Sequence, residues 1–239
     1  MTASAPRSSF QMPYGIELPA GHHWPVTLRA GAVVLRPLRR SDGPAWFRIR
    51  ESQADWLQPW EATRPPESSE QILTFSRMVV RNRRMAQVPT ALPWAIAWDD
   101  RWPASPAARP QKLPVIGQFT VSNIVAGSAM SCSMGYWISQ SHAGRGVMPT
   151  AVALAADYCF QVLRLHRIEI CIRPENLKSL RVVDKLGLNE EGMRPRYLHI
   201  DGHWRDHRVF RLLREDHPDG VLRHYLRDHV LPGSPLTRQ

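Results

Sequence analysis

Apolar residues recur along this 239-residue chain with two periods, and each change of period marks a new element. Ala32 to Leu38, Leu92 to Trp98, Val115 to Val125 and Cys132 to Ser139 are rich in β-branched and aromatic residues and read as strands. Between the first two, Trp46, Ile49 and Arg50 repeat at helical spacing, with Pro44 in the first turn and Ser41 or Asp42 as cap. A second helix is predicted from the capping box Ser68-x-x-Gln71, with Ile72, Phe75, Met78 and Val79 as its apolar stripe. Arg101 to Pro110 holds three prolines and reads as a protruding hairpin loop.

The most informative pattern runs from Met134 to Gly192. An apolar strand, Met134 to Ser139, enters the turn Ala143-Gly144-Arg145-Gly146-Val147-Met148, which opens an alanine-rich helix. A second strand, Arg167 to Ile172, ends at Arg173-Pro174-Glu175-Asn176, where another helix starts. The start of a helix offers backbone N–H groups with no partner inside it, and the aligned peptide dipoles favour an anion there. Glycines at 144 and 146 let the backbone approach that anion without a Cβ in the way. Arg196 to Ile200, the pair Asp201-Gly202 and His203 to Leu213 then predict a hairpin. Val221 to Val230 reads as a C-terminal helix. The chain therefore divides into an N-terminal arm at 1–27, poorly ordered or draped over the fold, one domain at 28–214, and a helix and tail at 215–239.

Composition changes this picture little. With 43% hydrophobic and 22% charged residues, the chain reads as an ordinary globular protein. Its net charge of +10 raises the question of nucleic acid, yet lysine occurs only at 112, 178 and 185. The excess is arginine, in no block of five or more, which reads as charge spread by codon bias and predicts no specific nucleic-acid partner. Three cysteines, Cys132, Cys159 and Cys171, without CxxC or zinc spacing, support neither a disulfide framework nor structural zinc and fit a reducing cytoplasm. His199, His203 and His207 straddle the Asp201-Gly202 turn, so their spacing carries no helical metal meaning. No run of 18 apolar residues exists, and no membrane partner is expected.

Several motifs in fixed order add to this reading. Gly-Tyr-Trp-Ile (135–138), Gly-Arg-Gly-Val (144–147), His-Arg-Ile-Glu (166–169), Arg-Pro-Glu-Asn-x-x-Ser (173–179) and Leu-Gly-Leu-Asn-Glu-Glu-Gly (186–192) together resemble the GNAT superfamily of acyl-CoA-dependent N-acetyltransferases. Leu57-Gln58-Pro59-Trp60-Glu61, Arg196-Tyr197 and Trp204-Arg205-Asp206-His207 resemble its RimJ/RimL branch, which acetylates N-terminal amines of ribosomal proteins. The resemblance spans about residues 31 to 214. One segment departs from it: the superfamily loop reads Gln/Arg-x-x-Gly-x-Gly/Ala, which puts Ala143 at the Gln/Arg position and Met148 at the small-residue position, and Pro149 brings no N–H.

The resemblance implies an α/β fold, a mixed, mostly antiparallel sheet of about seven strands flanked by helices. Acetyl-CoA would wedge between the fourth and fifth strands, Met134 to Ser139 and Arg167 to Ile172, and no metal is needed. It implies main-chain contacts to pantetheine and acetyl from Trp137 and Ile138, pyrophosphate at Ala143, Gly144, Arg145, Gly146, Val147 and Met148, and Asn176 on the pantetheine arm. The Ser179 hydroxyl would lie near the sulfur as proton donor, with Tyr197 as its competitor. By position alone, Asn176 and Ser179 read equally as an N-cap and its N3 partner, and Tyr197 as an aromatic on a sheet face. Glu61, Glu169 and Asp206 are the candidate bases, each also readable as a surface carboxylate paired with arginine. Trp56, Trp60 and Glu61 would line the acceptor entrance, with acceptor choice made by Leu57 to Pro66 and the 101–110 loop. The expected reaction is direct attack of a primary amine on acetyl-CoA in a ternary complex. A protein N-terminus, as on a ribosomal protein, is the first acceptor class, and a small amine such as an aminoglycoside or polyamine the second. A CoA-binding module without turnover and a basic RNA-binding protein are the rival readings.

Overall fold

A computed structural model describes residues 10–12, 16–18, 22–107 and 109–234. Short strands β1 (Phe10–Met12) and β2 (Ile16–Leu18) pair with each other. The main sheet starts with β3 (Leu28–Ala30) and β4 (Val33–Pro37), followed by helices α1 (Gly43–Ser52), α2 (Ala54–Leu57) and α3 (Phe75–Gln87). Then come β5 (Leu92–Trp98), β6 (Val115–Val125), β7 (Ser131–Ile138), α4 (Val147–Asp157), β8 (Arg167–Ile172), α5 (Leu177–Lys185), β9 (Asn189–Ile200), β10 (His203–Leu213) and α6 (Val221–Tyr225). Eight strands lie in the order β3-β4-β5-β6-β7-β8-β10-β9. Neighbours are antiparallel except β7 and β8, which are parallel. The eighth strand beyond the seven expected is β3: three residues are too few to show an alternation, and the Gly31 turn at φ +60 folds them onto β4. The parted pair is accordingly the fifth and sixth strands, not the fourth and fifth.

Trp94 and Ile96 of β5 and Phe119 and Val121 of β6 point into the main core. Ala95 and Val115 face the other way, toward Trp46 of α1 and Phe75, Met78 and Val79 of α3. Every residue of α4 is buried, as its nearly unbroken apolar sequence requires. It packs against β3, β4, α5 and α6. At its end the fully buried Asp157 carboxylate accepts the N–H groups of Val221 at 2.6 Å and Leu222 at 3.2 Å, capping α6. Residues 22–27 also pack on the core: Tyr158 donates its hydroxyl to His22 Nδ1 at 2.7 Å, and His22 Nε2–H donates to the Ala86 carbonyl at 2.7 Å. The expectation of an arm at residues 1–9, 13–15 and 19–21 lies outside the described residues.

Three local expectations are corrected. Asp42 stands at the N-cap of α1 but makes no side-chain cap bond there: its carboxylate is held by the buried Arg36 guanidinium at 2.7 and 2.9 Å and by the Arg39 N–H at 2.8 Å. A buried arginine on β4 demands a charged partner more strongly than a helix start demands a cap. The Ser68 box is not used either. Helix α3 starts at Phe75 with Thr74 as N-cap, and Ile72 is 84% exposed. Ser68 is instead the last residue of a turn, its N–H bonded to the Pro65 carbonyl at 3.0 Å. Finally, α6 stops at Tyr225 because the chain turns back there, bringing the Pro232 carbonyl to the Ala32 N–H at 3.3 Å.

Burial pushes the Asp157 carboxyl up to about 7, against the two N–H bonds that favour its charged form. A raised acid contributes stability that is complete below the ordinary carboxylate range and is lost as pH rises through about 7. Thermal unfolding should therefore show Tm falling between about pH 4 and 7, the ordinary and the raised carboxyl values. Asp157→Asn, which keeps one acceptor for two donors, should cost about 1–2 kcal/mol at low pH and flatten that slope. An unchanged slope in the variant would remove Asp157 as its cause.

Candidate active site

The two parallel strands part after three rungs. Ser131, Cys132 and Ser133 of β7 pair with Arg167, Ile168 and Glu169 of β8, and no rung follows. Each strand stays paired on its outer side, β7 to Ile138 along β6 and β8 to Ile172 along β10. The backbone of Met134 to Ile138 thus borders a gap. Ser139 donates its N–H to the Ile116 carbonyl at 2.8 Å, so odd-numbered residues of β7 turn their polar groups to β6 and even-numbered ones face the gap. Tyr136 and Ile138 border it in this way. Trp137, expected to offer main-chain contacts there, instead turns its backbone to β6 and its indole toward Trp46 and Arg50.

The glycine turn stands at one end of this gap. Gly144 has φ +78 and Gly146 φ +76, the left-handed region, and Gly146 is the N-cap of α4. The helical ladder starts with Thr150 N–H to the Gly146 carbonyl at 3.2 Å, so the N–H groups of Val147 and Met148 precede it. Their side chains are buried, which anchors the turn in the core. Beside Gly144, Arg145 and Gly146 lies a cleft of about 820 Å3, also lined by Lys185, Trp102, Tyr225 and His229. The 101–110 loop borders this cleft through Trp102.

Across the gap, Asn176 caps α5 by accepting the Ser179 N–H at 3.1 Å. The Ser179 hydroxyl lies 2.9 Å from the Tyr136 hydroxyl. Tyr136 stacks on Phe119, ring centroids 5.9 Å apart. Burial pushes its phenol up to about 12, opposed by the bond to Ser179, so it keeps its proton at neutral pH. Tyr197 is not at this place: its ring lies under the Arg194 guanidinium at 4.8 Å and meets the edge of His207 at 5.9 Å. The partner of Ser179 is thus Tyr136, which sequence reasoning passed over. Its only signal was membership of the Gly-Tyr-Trp-Ile motif, since the side toward which a strand residue points depends on register.

The segment 53–61 roofs the open end of the gap, where β7 leads into the glycine turn. The Gln53 side-chain oxygen accepts the Gln140 N–H at 2.8 Å, and the Trp56 indole N–H donates to the Ile138 carbonyl at 2.9 Å. Arg173, at the end of β8, donates to the Pro59 carbonyl at 2.6 Å with its guanidinium 5.2 Å from the Trp60 ring. Lys178 Nζ lies 3.7 Å over Trp56. Glu61 is paired with Arg50, which stacks over Trp46 at 4.5 Å. Trp56, Trp60 and Glu61 are thereby brought together at one mouth. The other two carboxylates are engaged elsewhere. Both Glu169 oxygens are clamped by Arg194 at 2.6 and 2.8 Å, and Cys171 Sγ lies 3.4 Å away. Burial favours the protonated form, but Arg194, Cys171 and Arg167 together hold Glu169 below the usual range. Asp206 accepts the Arg196 N–H at 2.8 Å on the outer hairpin.

His207 is nearly fully buried and donates Nδ1–H to the Arg205 carbonyl at 2.9 Å, leaving the lone pair on Nε2. Among the described residues no group of three metal-binding side chains gathers, and no helix is long and apolar enough to cross a membrane. Charge is more patched than the sequence implied: Arg40, Arg77, Arg81 and Arg84 gather around one surface hollow on α3.

A mixed sheet whose single parallel pair opens beside a glycine turn and a helix start defines a class of α/β proteins with a cleft through the sheet. Residues 32–189, well over half of the chain, match the acetyltransferase (GNAT) domain, and the protein belongs to that family. Among solved structures, Mycobacterium smegmatis RimJ in complex with CoA-disulfide is 32% identical with a TM-score of 0.72, covering 85% of this chain and 94% of that one. The Escherichia coli ribosomal protein uS5-alanine N-acetyltransferase is 37% identical over 111 residues, 46% of this chain and 57% of the relative. Escherichia coli spermidine N(1)-acetyltransferase is 32% identical over 101 residues, 42% of this chain and 50% of the relative. The chain thus spans little more than half the length of the curated relatives it matches.

Gly146→Ala should destabilise the protein by about 1–2 kcal/mol, the cost of a Cβ in the left-handed region. Its Cβ would also touch Pro232 Cγ and Tyr225 Oη, each at 3.4 Å. Urea unfolding measures this, and a variant as stable as the parent would refute the strained turn.

Proposed function

We propose that the protein transfers the acetyl group of acetyl-CoA to a primary amine, by direct attack within a ternary complex. The parting of β7 and β8 beside the unpaired amides of α4 carries this reading. The turn at Gly144 to Met148 receives the pyrophosphate, and Pro149 leaves that cradle without one N–H. The Tyr136 main chain and the Ile138 N–H line the pantetheine arm like the edge of a neighbouring strand, while the Trp56 indole already takes the Ile138 carbonyl. Asn176 holds its place through the cap and turns its amide to the same arm.

In the reaction the amine nitrogen forms a bond to the thioester carbon, the C–S bond breaks, and the thiolate needs a proton. Ser179, backed by the un-ionised Tyr136 phenol at 2.9 Å, supplies it. The proton released by the ammonium leaves toward Glu61. Of the three sequence-derived bases, Glu61 sits in the roof segment with a side chain 40% exposed and is held by Arg50 alone among the described residues, whereas both Glu169 oxygens are clamped by Arg194 and Asp206 accepts the Arg196 N–H.

Arg173 and Lys178 stand over the Trp60 and Trp56 rings of this mouth, Arg173 also paired with Glu175 at 3.2 Å, so that Lys178 is the cation there outside any ion pair among the described residues. Its charge disfavours an acceptor with several ammonium groups more than one with a single charge. A protein N-terminus, such as that of a ribosomal protein, is the acceptor this favours over a polyamine.

Thiol release from acetyl-CoA in the presence of alanine-starting peptides tests the reading, with spermidine as comparison. Release with neither amine overturns acetyl transfer, and release with spermidine alone overturns the acceptor class. Ser179→Ala and Tyr136→Phe are each expected to lower kcat by about a hundredfold, with the double variant little worse because the two act as a unit. Full activity in both would exclude them as the proton source.

A further inference from the structure

Helix α3 carries four arginines, Arg77, Arg81, Arg83 and Arg84, and no acidic residue in its 13 positions. Its inner face packs Phe75, Met78 and Val79 toward Ala95 and Val115 of the sheet. Arg77, Arg81 and Arg84 follow at i, i+4 and i+7, so they form one row on the outer face, about 10 Å long. Arg40, just past the end of β4, joins them around a hollow of about 340 Å3, whose remaining lining is Leu73, Ser76 and Val80. None of these residues borders the gap between β7 and β8 or the cleft at the glycine turn, so the hollow is separate from the acetyl-transfer site.

Little of this charge is neutralised from within. Arg40, Arg77 and Arg84 are exposed and in no ion pair among the described residues. Arg81 meets Glu70 at 2.8 Å, a pair exposed on both sides, and Arg64 donates to the Glu70 carbonyl, which adds a further positive charge there. Asp42, the carboxylate beside Arg40 in sequence, is taken by Arg36 and Arg39. Like charges gathered in this way repel one another in the free protein, and an anion with several charges relieves that repulsion. A guanidinium fork fits the oxygens of a phosphate or a carboxylate. The lining selects between the two. It holds no aromatic side chain, so a protein partner would lack the buried anchor that carries most of the energy of such an interface. A phosphodiester chain needs no anchor, because release of its counterions supplies the affinity. The row is also too short to reach across the successive grooves of a duplex. We infer that the hollow of Arg40, Arg77, Arg81 and Arg84 is a docking surface for the phosphate backbone of single-stranded RNA, read without regard to base sequence.

Fluorescence anisotropy of the full chain with a fluorescein-labelled single-stranded RNA of mixed sequence, over a series of salt concentrations, tests this. For the parent, log K should fall with log salt at a slope of about −3, roughly 0.7 for each phosphate neutralised. Arg40→Gln, Arg77→Gln and Arg84→Gln combined should weaken binding about thirtyfold, roughly threefold per contact, and bring the slope to about −1. Arg109→Gln, Arg164→Gln and Arg223→Gln combined remove the same charge from other exposed positions and should leave binding like the parent's. An unchanged Tm verifies folding of both variants. Equal weakening in the two would assign the effect to net charge and overturn the surface, as would parent-like affinity in the first. A polyglutamate peptide that displaces the RNA as well as unlabelled RNA does would make an acidic protein the occupant and overturn the RNA assignment. Equal displacement by inorganic phosphate would reduce the hollow to a small-anion site and overturn it too. The measurement contains no acetyl-CoA, so its outcome is independent of acetyl transfer.

Discussion

Two parallel strands hydrogen-bonded over three rungs and no further set the geometry on which the rest depends. Each backbone amide along a strand needs a partner, and a sheet normally supplies one on both sides. Here β7 and β8 keep their outer partners, β6 and β10, and give up each other beyond Ser133 and Glu169. The sheet therefore stays continuous at its base and opens at its top without loss of the flanking ladders. The open edge that results is short, partly buried and enclosed within the sheet rather than an aggregation-prone outer edge.

Helix α4 keeps that opening in place. It is apolar on all sides and buried along its whole length, so it sits between sheet and C-terminal segment, not on the surface. Its two ends do different work. The N-terminal end, reached through two glycines at positive φ, presents unpaired amides to the cleft. The C-terminal end carries Asp157, whose carboxylate caps α6 and so ties the last described segment of the chain to the same helix.

Charge in this protein is organised by pairing more than by surface display. Arg36 is buried and holds Asp42, Arg194 clamps Glu169, and Arg173 latches the roof segment to the end of β8. In each case an arginine fork joins two elements that hydrophobic packing alone leaves free to slide. The arrangement also distinguishes three carboxylates of similar sequence appearance: Glu169 and Asp206 are held by the sheet, and Glu61 stands at the mouth.

Much of this was legible from sequence, because strands β5, β6 and β8 and the start of α5 at Asn176 are announced by local patterns of alternation and capping. The turn at Gly144 and Gly146 was legible for the same reason: only a residue without Cβ takes that backbone shape readily. What local pattern cannot express is which distant groups compete for a side chain. Asp42 looked like a cap and is claimed by Arg36, and Ser68 looked like a capping box but lies in a Pro65 turn. Tyr136 meets Ser179, a contact the motif alone did not reveal, because strand register decides which face a residue takes. Sequence by itself determined most of the strands and helices, their order and the glycine turn, since those follow from forces between near neighbours. Only tertiary structure decided that Tyr136 meets Ser179, that Arg50 pairs with Glu61 and that Arg194 clamps Glu169, since those pairings form between residues far apart in the chain.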